Sequence, residues 1–452
     1  MKRRDFLKST ALLAVATGTG GVAQAANLLD EKPKEDKQPD GRLITSAPML
    51  QNYAETSIGV TFGVSDMANG YVLISDRPDL SNARKVMCGG YRTTEISDRA
   101  IQVRVTGLKP STTYYYRIGA DRIRYKSGYD MKIIGNEEDA RVYRFTTAGP
   151  KAKSHFCVIN DTHAKWEPFG RAIEKIAEVT PSCVVWNGDL TTVVETLEEQ
   201  VGILLNPGIQ RKDYAAEIPY LLCPGNHDLR GMANRHFERI WMFRQPEERP
   251  ARDWDLGRNF AVRMGDVAMI GLDTGEDKVD ENPIFAGLFN SKAYREAQTE
   301  WLKTALEQKE IASAPFLVAF CHIPLFDDNP QRNPGDVSPN DTDPQYDTNF
   351  AMWQRTCAKM WAPLLAKAGC QLVVTAHQHH YRYDAPTKDR PWAQLVGGGP
   401  ERAADQSDKR PDEFPTVIEG EVVGRQLRMT IHNLRTQRVQ DTFTFDPRKK
   451  RK

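Results

Sequence analysis

Five hydrophobic runs in the sequence each end in residues that bind metal ions well. In chain order they are HFCVIN-Asp161-Thr162-His163, SCVVWNG-Asp189, PYLLCPG-Asn226-His227-Asp228, PFLVAFC-His322 and CQLVVTA-His377-Gln378-His379. Each run has the length of a strand and is rich in Val, Ile, Leu, Phe and Cys, as a strand buried on both faces should be. In open α/β sheets, ligands gather beyond the carboxyl ends of the strands. Five such strands delivering Asp, Asn and His to one edge build a single polar cluster. Mixed imidazole and carboxylate donors suit Zn, Mn or Fe, whereas an all-carboxylate cage suits Mg or Ca better. The pattern points to a dinuclear metal site and to hydrolytic chemistry.

The elements that position this cluster follow from periodicity. Between Asp161 and Asp189, PFGRAIEKIAEV carries Phe169, Ile173, Ile176 and Val179 at helical spacing, which suits one βαβ crossover. AYREAQTEWLKTALEQKEI and NFAMWQRTCAKMWAPLLAKAG read as further helices, each ahead of a ligand-bearing strand. The last stretch, with WAQLVGGG, PTVIEGEVVG, RQLRMTIHNL and VQDTFTF, reads as antiparallel strands that close the sheet. Two polar stretches interrupt the pattern. One is Arg244 to Trp254; the other is the long loop Asp327 to Asn349 directly after His322, a candidate for substrate selection.

Residues 43–148 have a different character. TSIGVTFGV, GYVLISD, RAIQVRVTGL, TTYYYRIGA and ARVYRFTTA are short β-branched or aromatic runs separated by turn residues, the pattern of a sandwich. The segment resembles a fibronectin type III-like module, most strongly at Leu108-Lys109-Pro110-Ser111-Thr112-Thr113-Tyr114-Tyr115-Tyr116-Arg117. Such modules place a Tyr near the start of a late strand that bonds back across a corner, and Tyr114 is the candidate.

The chain of 452 residues is long enough for two or three domains, and no apolar run outside the N-terminus approaches a membrane span. Residues 1–25 read as a signal peptide. Lys2-Arg3-Arg4-Asp5-Phe6-Leu7-Lys8 resembles a twin-arginine export signal, followed by an apolar stretch and the small-residue pattern Ala23-Gln24-Ala25. Residues 26–42 read as linker. The expected location is therefore the periplasm or beyond, reached through the twin-arginine export machinery, without a membrane anchor. The net charge is +1, and residues 1–25 carry four cations and one anion, so the remainder stands at −2. That balance gives no reason to expect nucleic acid as a partner. Cys157, Cys183, Cys223 and Cys321 sit inside apolar runs and read as small core residues rather than disulfides.

The ordered set Asp161-x-His163, Gly188-Asp189, Gly225-Asn226-His227-Asp228, His322 and His377-x-His379 resembles the calcineurin-like metallophosphoesterase family over roughly residues 154–400. The layout with a preceding sandwich is similar to that of purple acid phosphatases. The resemblance implies an α/β fold, with a β-sandwich N-terminal domain followed by a metallophosphoesterase-type layered αββα domain over 151–447. It implies two divalent metal ions (Mn, Zn or Fe). One would take Asp161, His163 and His379; the other would take Asn226, His322 and His377; Asp189 would bridge them. It also implies hydrolysis of a small-molecule phosphate ester by attack of a metal-bound hydroxide, with His227 acting on the leaving group. Asp228 is expected to orient the His227 imidazole, and Arg230 to form a surface salt bridge.

Two departures argue against a ferric–tyrosinate purple centre: Thr192 stands where purple enzymes carry a Tyr, and His163 where they usually carry Gly. Ala376 also replaces the Gly common before the H-x-H pair. Within enzymes, the reading is a phosphate monoesterase, with a phosphodiesterase acting on cyclic nucleotides or phospholipid headgroups as the alternative. From another class, the alternative is a non-catalytic glycan- or surface-binding protein that keeps the fold.

Overall fold

A computed structural model of the chain describes residues 41–89, 96–243, 254, 256–278, 280, 282–326, 359–400 and 411–449. Residues 1–25, read as an export signal, nearly all of the stretch read as linker, the loop 327–349 and most of 244–254 lie outside the described residues, as does the first part of the helix read over 349–369.

The N-terminal strands are β1 (Met49–Gln51), β2 (Ile58–Gly63), β3 (Ala68–Ser75), β4 (Arg84–Met87), β5 (Ala100–Val105), β6 (Thr113–Ser127), β7 (Asp130–Glu138) and β8 (Tyr143–Thr146). They are followed by β9 (His155–Ile159), β10 (Cys183–Trp186), β11 (Tyr220–Leu222), β12 (Phe260–Met264), β13 (Val267–Leu272), β14 (Phe316–Cys321) and β15 (Leu372–Thr375). The last five are β16 (Arg382–Asp384), β17 (Ala393–Val396), β18 (Thr416–Val423), β19 (Gln426–Asn433) and β20 (Arg438–Phe445).

Two sheets face each other in the C-terminal part. One runs β20-β19-β18-β9-β10-β11-β1-β2-β5, the other β12-β13-β14-β15-β17-β16. Strand alternation explains how both are buried twice over. Phe156, Val158, Cys183, Val185 and Leu221 from the first sheet meet Met269, Phe316, Val318, Phe320 and Val374 from the second in one core. The residues between them point outward. Cys157, Ile159, Val184 and Trp186 pack against Phe169, Ile173 and Ile176 of the helix Trp166–Val179. Ala268, Ile270, Leu317, Ala319 and Val373 pack against Leu302 and Leu306 of Ser291–Glu307 and Leu365 of Ala362–Ala368. Each Val, Leu, Ile, Phe or Met side chain among them contributes about 1.5–3 kcal/mol when taken out of water. Helix, sheet, sheet and helix form the αββα layers that the sequence implied.

Local signals set the helix ends. Trp166–Val179 stops at Thr180, which is left-handed at φ 52° and whose N–H donates to Ile176 O. Leu197–Leu205 starts with a capping box between Thr196 and Glu199. The six described cysteines are all free, and five of them are buried.

The sandwich is not a separate body. Its second sheet, β4-β3-β6-β7 with β8 on β6, stands alone, but β1, β2 and β5 extend the nine-stranded sheet, with β1 parallel to β11 at Gln51↔Tyr220. Strands from both sides of the boundary read near residue 150 thus share one continuous hydrogen-bonded sheet. The Tyr116 hydroxyl also crosses it, donating to Ala216 O at 2.6 Å. At the module's corner the Tyr114 hydroxyl accepts from the Lys109 N–H at 3.0 Å.

The C-terminal strands need one correction. β18, β19 and β20 are antiparallel and close the first sheet on β9. The run WAQLVGGG, however, forms β17, which lies parallel to β15 in the second sheet. Its short, wholly apolar pattern fits either direction, and only the chain path between them decides.

Candidate metal centre

The carboxyl ends of β9, β10 and β11 in one sheet and of β14 and β15 in the other open onto the same point. Asp161, His163, Asp189 and His379 offer ligand atoms that all lie within 4.8 Å of one another, and so do Asp189, His322 and His377. Asp189 belongs to both groups. Asn226 joins the second, with Oδ1 3.0 Å from His377 Nδ1.

The backbone is bent to aim these groups inward. Asp161 (φ 46°), His163 (φ 46°), Asp189 (φ 52°), His377 (φ 69°) and His379 (φ 58°) are all left-handed. That conformation costs a non-glycine residue about 1–3 kcal/mol, and clusters of it mark functional sites. The bends are tied down by backbone bonds from Asp161 N–H to Gly188 O and from His163 N–H to Asp189 O, both 3.0 Å. Two motif glycines are required by close approach. A Cβ on Gly188 would stand 2.2 Å from His322 Nδ1, and one on Gly225 would stand 2.3 Å from Asp189 Oδ1. Ala376 is buried, and its N–H donates to His322 O at 2.8 Å.

The imidazoles are oriented by neighbours that accept or share their second nitrogen. His322 Nδ1 donates to Asn187 O at 2.9 Å, which leaves Nε2 facing Asp189 Oδ2 at 3.2 Å. His163 Nδ1 meets the Thr192 hydroxyl at 3.2 Å, and His227 Nδ1 donates to the Thr192 carbonyl at 2.8 Å. The residue standing where purple enzymes carry a Tyr therefore holds two imidazoles. His163 Nε2 and His379 Nε2 face each other at 3.1 Å. Asn160 donates to Asp161 Oδ2 at 2.7 Å.

The donor set fits metal ions. Asp161 Oδ1 and His322 Nε2 are buried and find no hydrogen-bond partner of acceptable geometry, although native proteins rarely leave such atoms unsatisfied. Burial opposes ionisation of Asp189, but His322, His227 and His163 outweigh it and hold the carboxyl far below the usual range. Burial keeps His163 and His377 down at about 4, hence neutral. Burial also opposes charge on His322, yet Asp189 and Asp161 push it up to about 10.

Asp228 departs from expectation. Its carboxylate does not face the His227 ring. It accepts from the N–H groups of Asp189, Leu190 and Gly225, each at 2.9 Å. Three unpaired backbone donors at the sheet edge outcompete one imidazole, and the residue works as a buried knot between two motif loops. Arg230 is also not a simple surface pair. It binds Glu276 through Nε at 3.0 Å and Nη2 at 2.7 Å, and Glu276 is fully buried. Glu276 and its neighbour Asp277, whose Oδ2 lies 3.8 Å from His377 Nε2, come from the loop after β13. That loop carried no recognisable spacing in the sequence. His380 stays aside, with Nδ1 on Gln378 O.

The calcineurin-like phosphoesterase family matches residues 154–381, and the chain belongs to that family. It is 22% identical over 300 residues to "Probable purple acid phosphatase 20" of Arabidopsis thaliana, covering 64% of this chain but only 56% of that relative. In structure it resembles PhoD (TM-score 0.56, 12% identity, 91% of this chain and 92% of that one). It also resembles the purple acid phosphatase PPD1 of yellow lupin, Lupinus luteus (TM-score 0.57, 14% identity, 89% and 74%). At these identities the two structures establish the shared fold.

Two outcomes follow. Asp228→Asn supplies one acceptor to three donors and is expected to cost about 3 kcal/mol of unfolding free energy; an unchanged denaturant midpoint would contradict the knot. A divalent cation taking His322 Nε2 must displace the proton that the carboxylates hold there. Calorimetry at neutral pH in buffers of different ionisation enthalpy should register proton release, and affinity should rise with pH; buffer-independent heats would contradict this.

Proposed function

We propose that this chain is a dinuclear-metal phosphoesterase that hydrolyses phosphate monoesters. The observation that carries the reading is the sharing of Asp189 between two ligand groups, each compact enough for one ion. One ion would be held by Asp161, His163 and His379, the other by Asn226, His322 and His377, with Asp189 bridging. Imidazole-rich sets with carboxylates favour Zn, Mn or Fe. When bound, such a pair supplies Lewis acidity toward the phosphoryl oxygens and lowers the pKa of a water.

The chain's own residues do the rest. Asn187 O and Thr192 fix the ring orientations of His322 and His163. Asp189 Oδ1 accepts the His227 N–H at 2.9 Å, which ties the position of the acid to the bridge. Because the Thr192 carbonyl can only accept, His227 Nδ1 carries a proton, and Nε2 is the atom that gives one to the departing alkoxide. Asp228 takes no part in the proton transfer and holds the loops that carry Asp189 and His227.

The reading includes export through the twin-arginine machinery, supported by the basic, apolar and small-residue segments of residues 1–25. Among the described residues no helix is long and apolar enough to cross a membrane.

The test is hydrolysis of an aryl phosphate monoester and the matching diester by the chain from residue 26 onward, loaded separately with Mn, Zn and Fe. Monoester turnover exceeding diester turnover is expected. His227→Ala should keep its metals and lose roughly 100-fold or more in kcat. Preferred diester turnover would replace monoester with diester. No turnover with any metal would favour the non-catalytic binding protein.

A further inference from the structure

Arg230 and Glu276 form a device that the metal chemistry does not require. Glu276 is a fully buried carboxylate, and it grips Arg230 through two parallel bonds, 3.0 Å to Nε and 2.7 Å to Nη2. The loop that carries Glu276 is itself anchored. Arg295, buried in the helix Ser291–Glu307, donates to Thr274 O at 3.0 Å and to Glu276 O at 2.7 Å, while Gln298 donates to Asp273 O at 2.7 Å. This bidentate grip leaves the third guanidinium nitrogen, Nη1, pointing at His227. Its distances to the two ring nitrogens are nearly equal, 3.4 Å to Nδ1 and 3.3 Å to Nε2. An atom in the ring plane at those distances would collide with the carbon between the nitrogens, so Nη1 lies over the face of the imidazole. The in-plane direction of Nδ1 is already taken by the Thr192 carbonyl at 2.8 Å.

The His227 ring is thus held on two sides: Thr192 fixes rotation in the plane, and Arg230 closes one face. A solvated surface arginine would not need a carboxylate at zero exposure behind it, because burying that charge costs several kcal/mol unless it is fully paired. The geometry points to Arg230 as a positioning residue for His227, locked in place by Glu276, so that Nε2 meets the leaving-group oxygen. This rests on the proposed role of His227 as proton donor. Lysine cannot replace arginine here, because a point charge on a flexible stem cannot be gripped bidentately and laid on a ring face at once.

Arg230→Lys and Glu276→Gln in the full-length, metal-loaded chain test the inference with an alkyl phosphate (poor leaving group) and a nitrophenyl phosphate (good leaving group). Both variants should lose roughly 10- to 100-fold in kcat on the alkyl ester but less than about threefold on the nitrophenyl ester, with KM and metal content nearly unchanged. In protein labelled with ¹⁵N-histidine, the His227 Nδ1–H should exchange with solvent faster in both variants than in wild type. Equal losses on the two esters, or a change confined to KM, would overturn the inference even with an active wild type. If wild type hydrolyses neither ester, the phosphoesterase reading fails on its own. The exchange measurement then still decides, since unchanged Nδ1–H exchange in Arg230→Lys rules out positioning. The Arg230 side chain is 27% exposed, against zero for Glu276, so its variant remains informative if the buried Glu276→Gln does not fold.

Discussion

Asp161 and Asp189 are each about 1% exposed and lean on the same imidazole, with His322 Nε2 3.8 Å from the first and 3.2 Å from the second. Two carboxylates so close and so dry are costly to ionise, because desolvation and mutual repulsion add. The same carboxylates shift His322 and His379 toward the charged form, which offsets part of that cost. Bound dications would offset it more fully. The rest of the site follows from keeping these two groups together against their electrostatic preference.

That constraint explains the backbone. Five cluster residues adopt left-handed φ, and strained turns persist only where the surroundings over-determine them. Here the surroundings are the two facing sheets, whose interlocked core fixes the strand ends, and the Asp228 knot, which gathers three backbone N–H groups from two loops. Gly188 and Gly225 are small because a His322 ring and an Asp189 carboxylate pack against them. The fold contributes rigidity, and the loops convert it into aim.

Much of this was legible in the sequence, for a physical reason. A strand buried on both faces must be apolar throughout, so the polar residue that ends it stands out, and five such endings marked the residues brought together here. The helix Trp166–Val179 was legible through its 3.6-residue period. Other features left no such mark. Glu276 and Asp277 follow β13 in a loop without a motif, and their burial depends on contacts with distant Arg230 and His377. Asp228 looked like a partner for its neighbour His227, because adjacency in sequence suggests contact; the unsatisfied backbone donors that claim it exist only once two loops meet. The joining of β1 to β11 was likewise hidden, since which of two distant strands pair is decided by topology and not by either strand's own pattern. Thr192 read as the loss of a metal-binding Tyr, whereas its hydroxyl and carbonyl each hold an imidazole.

The central claim is that Asp189 joins two metal positions into one centre. Metal analysis of wild type and Asp189→Asn, each loaded with excess Zn or Mn and desalted, addresses it directly. A bridging carboxylate predicts about two ions per chain in wild type and loss of most of both in Asp189→Asn. About one ion per chain in wild type, or an Asp189→Asn variant that keeps two, would contradict it.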